Sequence, residues 1–405
     1  MKRIAVIGAG AAGCFCAVEI MRRHPEAQVC IYEAGPVPMA KLAVTGGGRC
    51  NFTNTFEDIS RLEEAYPRGA QLMKRALRSF SQYDTMEWFA REGIAYTIQD
   101  DHCVFPKSQD AMQIVRTLTN LMRRLGIVVR CRCRVESVIR NPIQNPTPAE
   151  GRFLISFPGG TETADTVIVT TGGGALALLK PLGLSIERPV PSLFTMKIAD
   201  AGLRSLMGAV VENATLSLAG TPFRSSGALL LTDWGISGPA TLKLSSYAAR
   251  HLAENGYGGK VLVNWLSLSE TEARNLISDL AAANPRKLTG NTCPEGLSGR
   301  LWKHILSRAG QRQDLCWAEL GTKGVNRLVS ALTADTYEIT GRCHFKAEFV
   351  TCGGVSLSEV SLNTLESRKY PGLFFAGEVL DVDAITGGFN LQAAWSCAMV
   401  VSAAV

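Results

Sequence analysis

Histidine is scarce in this chain of 405 residues: five are present (His24, His102, His251, His304 and His344), and they are scattered. A zinc site needs paired ligands at short spacing, so no metal-binding residue is expected. Twelve cysteines are present but no Cys-x-x-Cys; Cys14/Cys16 and Cys131/Cys133 are two apart. That spacing argues against the closely placed dithiol of a disulfide reductase. No Ser-His-Asp order and no carboxylate pair stands out for hydrolysis. No apolar run reaches the roughly 20 residues of a membrane span, and no cleavable apolar leader precedes the first strand. Repeats and low-complexity tracts are missing too. Many cysteines without a secretion signal imply reduced thiols, a cytoplasmic protein and no membrane partner. Charge is thin, at 19% of residues with a net +6, against 46% hydrophobic residues. Such a chain is globular and long enough for two or three domains.

What the sequence has is glycine, placed at its two ends. Residues 4–13 read Ile-Ala-Val-Ile-Gly-Ala-Gly-Ala-Ala-Gly, and Glu33 follows Gly13 by twenty residues. Residues 3–7 read as a buried parallel strand. Gly8 allows the tight turn out of it. Gly10 lets the backbone approach a pyrophosphate, and Gly13 lets the following helix, with Ala12 in its first turn, pack on the strand. The helix start offers unpaired N–H groups to phosphates. Glu33, ending the strand at 29–32, is placed to accept hydrogen bonds from ribose hydroxyls and to repel a 2′-phosphate.

Near the other end Gly377-Glu378, with Asp381 beyond, precedes Thr386-Gly387-Gly388-Phe389-Asn390-Leu391, which opens a final apolar helix. A chain that returns to its first sheet in this way completes a flavin site, so the dinucleotide is expected to be FAD. If the last helix points its N-terminus at the flavin, its dipole stabilises the anionic reduced ring. Glu378 is a candidate for ribityl or phosphate-side contacts. Between the ends, Lys41 to Asn54 contains Thr45-Gly46-Gly47-Gly48-Arg49-Cys50-Asn51. Three glycines and the polar residues after them suit a loop lying against a flat ligand, and Leu42, Ala43, Val44 and Phe52 argue for its burial. A strand at 166–170 runs into Thr171-Gly172-Gly173, a further approach to the cofactor. It is not a second G-x-G-x-x-G, so no separate nicotinamide domain is expected; NADH or NADPH would bind transiently as donor.

Residues 68–92 read as one helix, 95–105 as a hairpin, 110–125 as a helix and 127–140 as a strand. That strand would carry Arg130, Arg132 and Arg134 on one face, while a second basic group spans residues 68–78. Both fit either a solvated face or a surface for phosphate or RNA backbone. Val135 lies where flavoproteins of this architecture hold adenine through the main chain. A turn-rich loop at 141–148 leads to strands near 152–157 and 164–170. Short alternating segments at 190–265 suit a β-barrel-like insert, and 269–328 reads as helices. Gly-Gly pairs recur at 46–47, 172–173, 353–354 and 387–388, and three of the four are expected to approach FAD.

The chain resembles the BaiN/RdsA family of NAD(P)/FAD-dependent oxidoreductases, which includes aminoacetone-oxidase-like flavoproteins. The resemblance rests on Thr45–Asn54, on Val104-Phe105-Pro106-Lys107-Ser108, on Thr232-Asp233-Trp234-Gly235-Ile236-Ser237-Gly238-Pro239, and on Ala376-Gly377-Glu378 through Asn390-Leu391-Gln392. The family often carries a basic or aromatic residue where Asp233 and Trp234 stand. The resemblance implies an α/β fold: a Rossmann-like FAD-binding domain (1–187 and 346–405) interrupted by a β-barrel-like domain (188–268 and 329–345) and a small helical domain (269–328). It also implies flavin contacts at Thr45–Asn54 and at the C-terminal motif. Activities in the family differ: reduction of unsaturated steroid-type substrates, oxidation of a small amino ketone, and reduction of uridine to dihydrouridine in ribosomal RNA.

The leading expectation is a reductase. A donor delivers a hydride equivalent to flavin N5, and a polarised C=C or C=N bond of a small molecule or RNA receives it. Arg49, Cys50, Asn51 and Lys107 are the candidate substrate-side groups, with Arg49 and Lys107 suited to anionic groups. Cys50 reads more simply as a packed residue than as a redox thiol. The rival expectations are an oxidase of small amines or amino ketones that makes hydrogen peroxide, and a non-catalytic flavin-bound RNA- or protein-binding factor. The oligomeric state is not indicated.

Overall fold

The computed structural model describes residues 1–143, 151–343 and 350–405. They form two units, residues 1–190 with 350–405, and residues 191–349.

In the first unit β1 (Arg3–Ile7) leads into helix α1 (Ala11–Arg23), then β2 (Gln28–Tyr32). Then follow β3 (Thr53–Asn54), α2 (Ala70–Ser79), α3 (Gln82–Arg91), β4 (Tyr96–Ile98), β5 (Cys103–Pro106), α4 (Ala111–Arg124) and β6 (Val128–Arg130). Next are β7 (Ser137–Arg140), β8 (Phe153–Phe157), β9 (Gly160–Ala164) and β10 (Thr166–Val169). The returning chain adds β11 (Val350–Val355), β12 (Leu373–Phe375) and α5 (Phe389–Ala404). Five strands make one parallel sheet in the order β12-β10-β1-β2-β6. Its central strands are buried on both faces, which is why they read as apolar runs rather than alternating ones. Because β1 pairs with β2 on one side and β10 on the other, the crevice beyond its carboxyl end is a topological switch point, where open α/β sheets bind ligands. β3, β5 and β4 form a small antiparallel sheet, and β7, β8 and β9 another.

Two segments differ from the expectation. The helix expected over 68–92 is broken after Ser79. The Ser81 hydroxyl accepts from Asp84 N–H at 3.2 Å and the Asp84 carboxylate accepts from Ser81 N–H at 2.7 Å, a capping box that starts α3 afresh. The strand expected over 127–140 is two strands in different sheets. Between them Arg132 has φ +55°, and the N–H groups of Arg132 and Cys133 donate to the carbonyls of Gly35 and Glu33. Arg130, Arg132 and Arg134 therefore share no strand face. Arg130 is paired with Glu162 and lies 5.7 Å from the Tyr32 ring centre. The turn-rich stretch expected at 141–148 falls largely outside the described residues.

In the second unit the strands Met196–Ile198, Val210–Leu218, Arg224–Leu231, Gly235–Ser237, Gly259–Asn264 and Asp335–Arg342 close into a six-stranded barrel. Helices Pro239–Tyr247 and Ala249–Glu254 separate two of its strands, an addition that the alternating pattern did not suggest. Helices Glu270–Ala283, Gly299–Arg308 and Gly321–Thr333 bury Ile277, Trp302 and Leu328 in the same core as barrel residues Leu216, Ile236 and Val263. The helical segment thus shares the barrel's core instead of building its own. Arg308 reinforces the join, donating from Nε to Asp335 Oδ1 at 3.0 Å. Among the described residues no helix is long and apolar enough to cross a membrane.

Candidate functional site

The turn after β1 is fixed by close approaches. Gly8 has φ +105°, and a Cβ there would lie 2.7 Å from the carbonyl oxygen of Thr170. A Cβ on Gly13 would lie 2.1 Å from Gly8 O and 2.5 Å from Thr170 Oγ1, so Gly13 sets the distance of α1 from the sheet. Gly10 differs: a Cβ there meets nothing within 4 Å. It is the N-cap of α1 and makes no side-chain cap, so the first N–H groups, Ala12 and Gly13 among them, have no acceptor in the helix. Thr170, not singled out from the sequence, locks the turn by donating Oγ1 to Gly8 O at 2.8 Å and to Ile7 O at 3.1 Å. The Glu33 carboxylate accepts from Ala9 N–H at 2.8 Å and Gly35 N–H at 2.6 Å. Val135 is buried two residues beyond the segment bonded to Glu33 and Gly35.

In the second loop Gly46, Gly47 and Gly48 have φ of +57°, +69° and +83°, left-handed conformations that glycine adopts without strain. A Cβ on Gly47 or Gly48 would enter open space. Leu42, Cys50 and Phe52 are buried, whereas Val44 is 69% exposed. The apolar anchors hold the ends while the glycines stand outside, which corrects the expected burial of Val44. Thr45 donates its hydroxyl to Leu42 O at 2.8 Å. Arg49 is exposed, its guanidinium 4.5 Å from the Phe105 ring centre and its Nε donating to Gly46 O at 3.2 Å. Lys107 is exposed just after β5, its N–H donating to Ala95 O. Burial pushes the Cys50 thiol up to about 12, against a smaller opposing effect of its hydrogen bond with Thr45. A thiol raised in this way is a poor thiolate nucleophile, in keeping with the packing reading of Cys50. Asn51 carries a buried Oδ1 with no hydrogen-bond partner among the described residues.

The C-terminal segment closes the site. A Cβ on Gly377 would lie 3.3 Å from Ala12 Cβ and 3.8 Å from Ala394 Cα, so this residue sits between the starts of α1 and α5. Glu378 accepts from Thr351 N–H at 2.6 Å. Burial raises its carboxyl above the ordinary value, and nearby Lys41 pulls the other way. A Cβ on Gly172 would lie 3.9 Å from Glu378 Oε2, which places this turn beside the same carboxyl, together with Thr171. Gly388, φ +91°, is the N-cap of α5; a Cβ there would lie 2.4 Å from Thr53 O and 2.6 Å from Asn51 Oδ1. Leu391, in the first turn of α5, is partly exposed.

Three residues expected as ligands also make contacts within the fold. The Asn390 amide accepts from Ala384 N–H at 2.9 Å and donates to Ala384 O at 3.0 Å, so it shapes the loop before α5. Gly173 is packed: a Cβ there would lie 2.3 Å from Thr351 Cβ. Asp381 is partly exposed and its N–H donates to Val355 O. Gly353 and Gly354 are packing positions too, with Arg188 O and Val379 O each 2.5 Å from the respective Cβ. The sequence reading also missed the residues that fasten this loop. Asp383, 1% exposed, takes Nε of Arg68 at 2.7 Å. Tyr66 donates to Phe389 O at 2.8 Å, Thr53 to Gln392 Oε1 at 2.6 Å, and Trp395 Nε1 to Phe52 O at 2.9 Å. Several of them lie inside the quoted motifs, but their pairing carries no local signal, because the partners are far apart in the chain.

FAD fits the residues present. The open Cβ direction at Gly10 and the uncapped start of α1 suit the pyrophosphate, and Glu33 suits the ribose. The orphaned Asn51 Oδ1 is a buried acceptor waiting for an N–H, beside the uncapped start of α5. Two helix N-termini around Gly377 favour a ligand with negative charge along its length. The fold and site define an FAD-dependent oxidoreductase of the Rossmann class.

A family model described as HI0933-like protein Rossmann domain matches residues 2–404, and the chain belongs to that family. It is 31% identical over 410 residues to a ribosomal RNA dihydrouridine synthase of Escherichia coli, covering 97% of this chain and 95% of that one. It is also 31% identical over 413 residues to a 3-dehydro-bile acid delta(4,6)-reductase of Clostridium scindens, covering 98% and 97%. Among solved structures it shares the fold of a 3-ketosteroid delta1-dehydrogenase from Sterolibacterium denitrificans, with a TM-score of 0.51 at 11% identity, covering 100% of this chain and 99% of that one.

Proposed function

We propose that this FAD-dependent oxidoreductase reduces a carbon–carbon double bond conjugated to a carbonyl, and that its substrate is uridine in ribosomal RNA. The observation that carries this reading is the 31% identity, across 97% of the chain, to a protein named for making dihydrouridine in ribosomal RNA. The bile acid relative is named for reducing double bonds in a 3-oxo substrate, the same addition of hydride and proton to a conjugated C=C.

FAD, when bound, supplies the hydride-carrying chemistry, renewed by NADH or NADPH. The chain's own contribution is positioning. The α1 start and Glu33 hold the nucleotide half. Asn51 and the α5 N-terminus orient the flavin end, and the helix dipole there favours negative charge. Gly47 and Gly48 leave open space beside the loop, as a flat base requires. Arg49 and Lys107 supply exposed cations for flanking phosphates.

Mapping dihydrouridine in ribosomal RNA from a strain lacking the gene tests the reading. One or more uridines should lose the modification and regain it when the gene is restored; an unchanged map contradicts it. A second reading, reduction of a small steroid-type enone, has the 31% identity to the bile acid reductase in its favour. It predicts the unchanged map together with consumption of an enone by the reduced holoprotein.

A further inference from the structure

A cleft of about 780 Å³ lies in the first unit, lined by residues of α2, by the 362–363 turn and by Val400 of α5. It shares no lining residue with the glycine turns. Helix α2 is divided along its length: Leu72, Met73 and Ala76 are buried, while Lys74, Arg75 and Arg78 are exposed and line the cleft. Lys74 and Arg78 are one turn apart on the same face, about 6 Å along the axis.

The charge in this cleft is uncompensated. Lining residues include three cations and no carboxylate. Among the described residues none of Lys74, Arg75 and Arg78 forms an ion pair, and Arg75 only donates to Asn363 Oδ1 at 2.5 Å. Several exposed arginines elsewhere on this unit are paired with acids: Arg61 with Glu64, Arg91 with Glu87, Arg116 with Asp110. Three unpaired cations held within two helical turns repel one another unless an anion joins them. Amide groups of Gln71 and Asn363 on the rim add neutral hydrogen-bonding capacity.

We propose that this cleft is a binding site for the phosphodiester backbone of single-stranded RNA. The assignment rests on the reading of the substrate as RNA, and it gives that substrate a second hold, distinct from the flavin loop. Phosphates contacted here position the strand and carry no sequence information.

The test uses the FAD-loaded full chain and a fluorescent 20-nucleotide oligouridylate. Binding is measured by anisotropy across a salt series for the wild type, for K74Q/R75Q/R78Q, and for the control R91Q/R116Q, whose arginines are paired. All three substituted side chains are exposed, and flavin absorbance with the rate of reduction by NADH or NADPH reports that each variant is folded. The triple variant should bind at least tenfold more weakly, and the slope of log K against log salt should fall by about 2, at ~0.7 per released phosphate contact. The control should keep the wild-type slope. Equal affinity and slope in the triple variant overturn the proposal, as does a wild type that binds no RNA. Equal competition by polyglutamate of the same length overturns the RNA assignment in favour of an acidic protein partner. Loss of binding in the triple variant, with no dihydrouridine missing from the deletion strain, would uphold the cleft and refute the reading of the reaction. Missing dihydrouridine with unchanged binding would do the reverse.

Discussion

Single residues separate what holds the cofactor from what holds the fold, and the glycines make the division measurable. A methyl group at Gly13 collides with Gly8 O at 2.1 Å, whereas one at Gly10 meets no atom within 4 Å. Gly13→Ala should therefore cost the apoprotein about 1–3 kcal/mol by overpacking. Gly10→Ala should leave apoprotein stability within about 0.5 kcal/mol, as surface substitutions do, yet weaken FAD at least about tenfold, or ~1.4 kcal/mol. Denaturant melts of the apoproteins and FAD titration check the pair; equal apoprotein losses would remove the distinction.

Glu378 offers a pH-dependent version of the same separation. Its carboxyl is raised by burial, so the charged form is the costly one in the folded chain. Below its ordinary value of 4.5 both folded and unfolded chains hold the proton and no cost arises. As pH rises through the folded value, the folded chain must carry a buried charge, and stability falls. Glu378→Gln keeps an acceptor for Thr351 N–H. It should raise the apoprotein melting temperature at neutral pH, by an amount that shrinks to nothing near about pH 4, while FAD affinity drops. A gain that is the same at both pH values would contradict this account.

At the level of elements, the site depends on tying a late loop to early segments. Arg68, just before α2, and Asp383, just before α5, form a nearly dry ion pair that fixes the 381–388 loop. Arg68→Ala leaves a buried carboxylate without its main partner, which costs about 3–5 kcal/mol. In a unit of this size that lowers the melting temperature by roughly 10 °C. A melt unchanged within 2 °C, an estimate of roughly half a kcal/mol, would show that other contacts hold the loop.

Elements also mark how far the sequence could be read. The β1 turn, α1, β2 and α5 were legible, because a strand, a glycine turn and a helix follow each other within a few residues. The break at Ser81 was written in the Ser-x-x-Asp capping box but was overridden by the continuous apolar spacing on either side of it. The bend between β6 and β7 was not legible: a run of alternating residues looks the same whether it stays in one sheet or crosses to another. Helices 239–247 and 249–254 escaped for a similar reason, their apolar residues being short and set among strand-like segments. Asn390 and Gly173 lie in the right motifs, but both are engaged by protein: the Asn390 amide by the loop at Ala384 just before it, and Gly173 by Thr351, distant in the chain.

For the whole molecule, the sequence carried the class of fold and the cofactor. It carried less of the substrate, since relatives of equal identity act on a nucleoside in RNA and on a bile acid. The physical demand common to both is an open, flat space beside the flavin end and a proton source near it; the choice between them lies in surface charge and in the shape of the open side. The unpaired cations on α2 weigh toward a polyanion.

The most direct test is an anaerobic single turnover. Holoprotein reduced stoichiometrically with NADH or NADPH is mixed with ribosomal RNA from the deletion strain. The account predicts that flavin absorbance returns without oxygen, and that a uridine gains about two mass units in equal amount. Absorbance that returns only when air is admitted, with hydrogen peroxide formed and the RNA unchanged in mass, would contradict it.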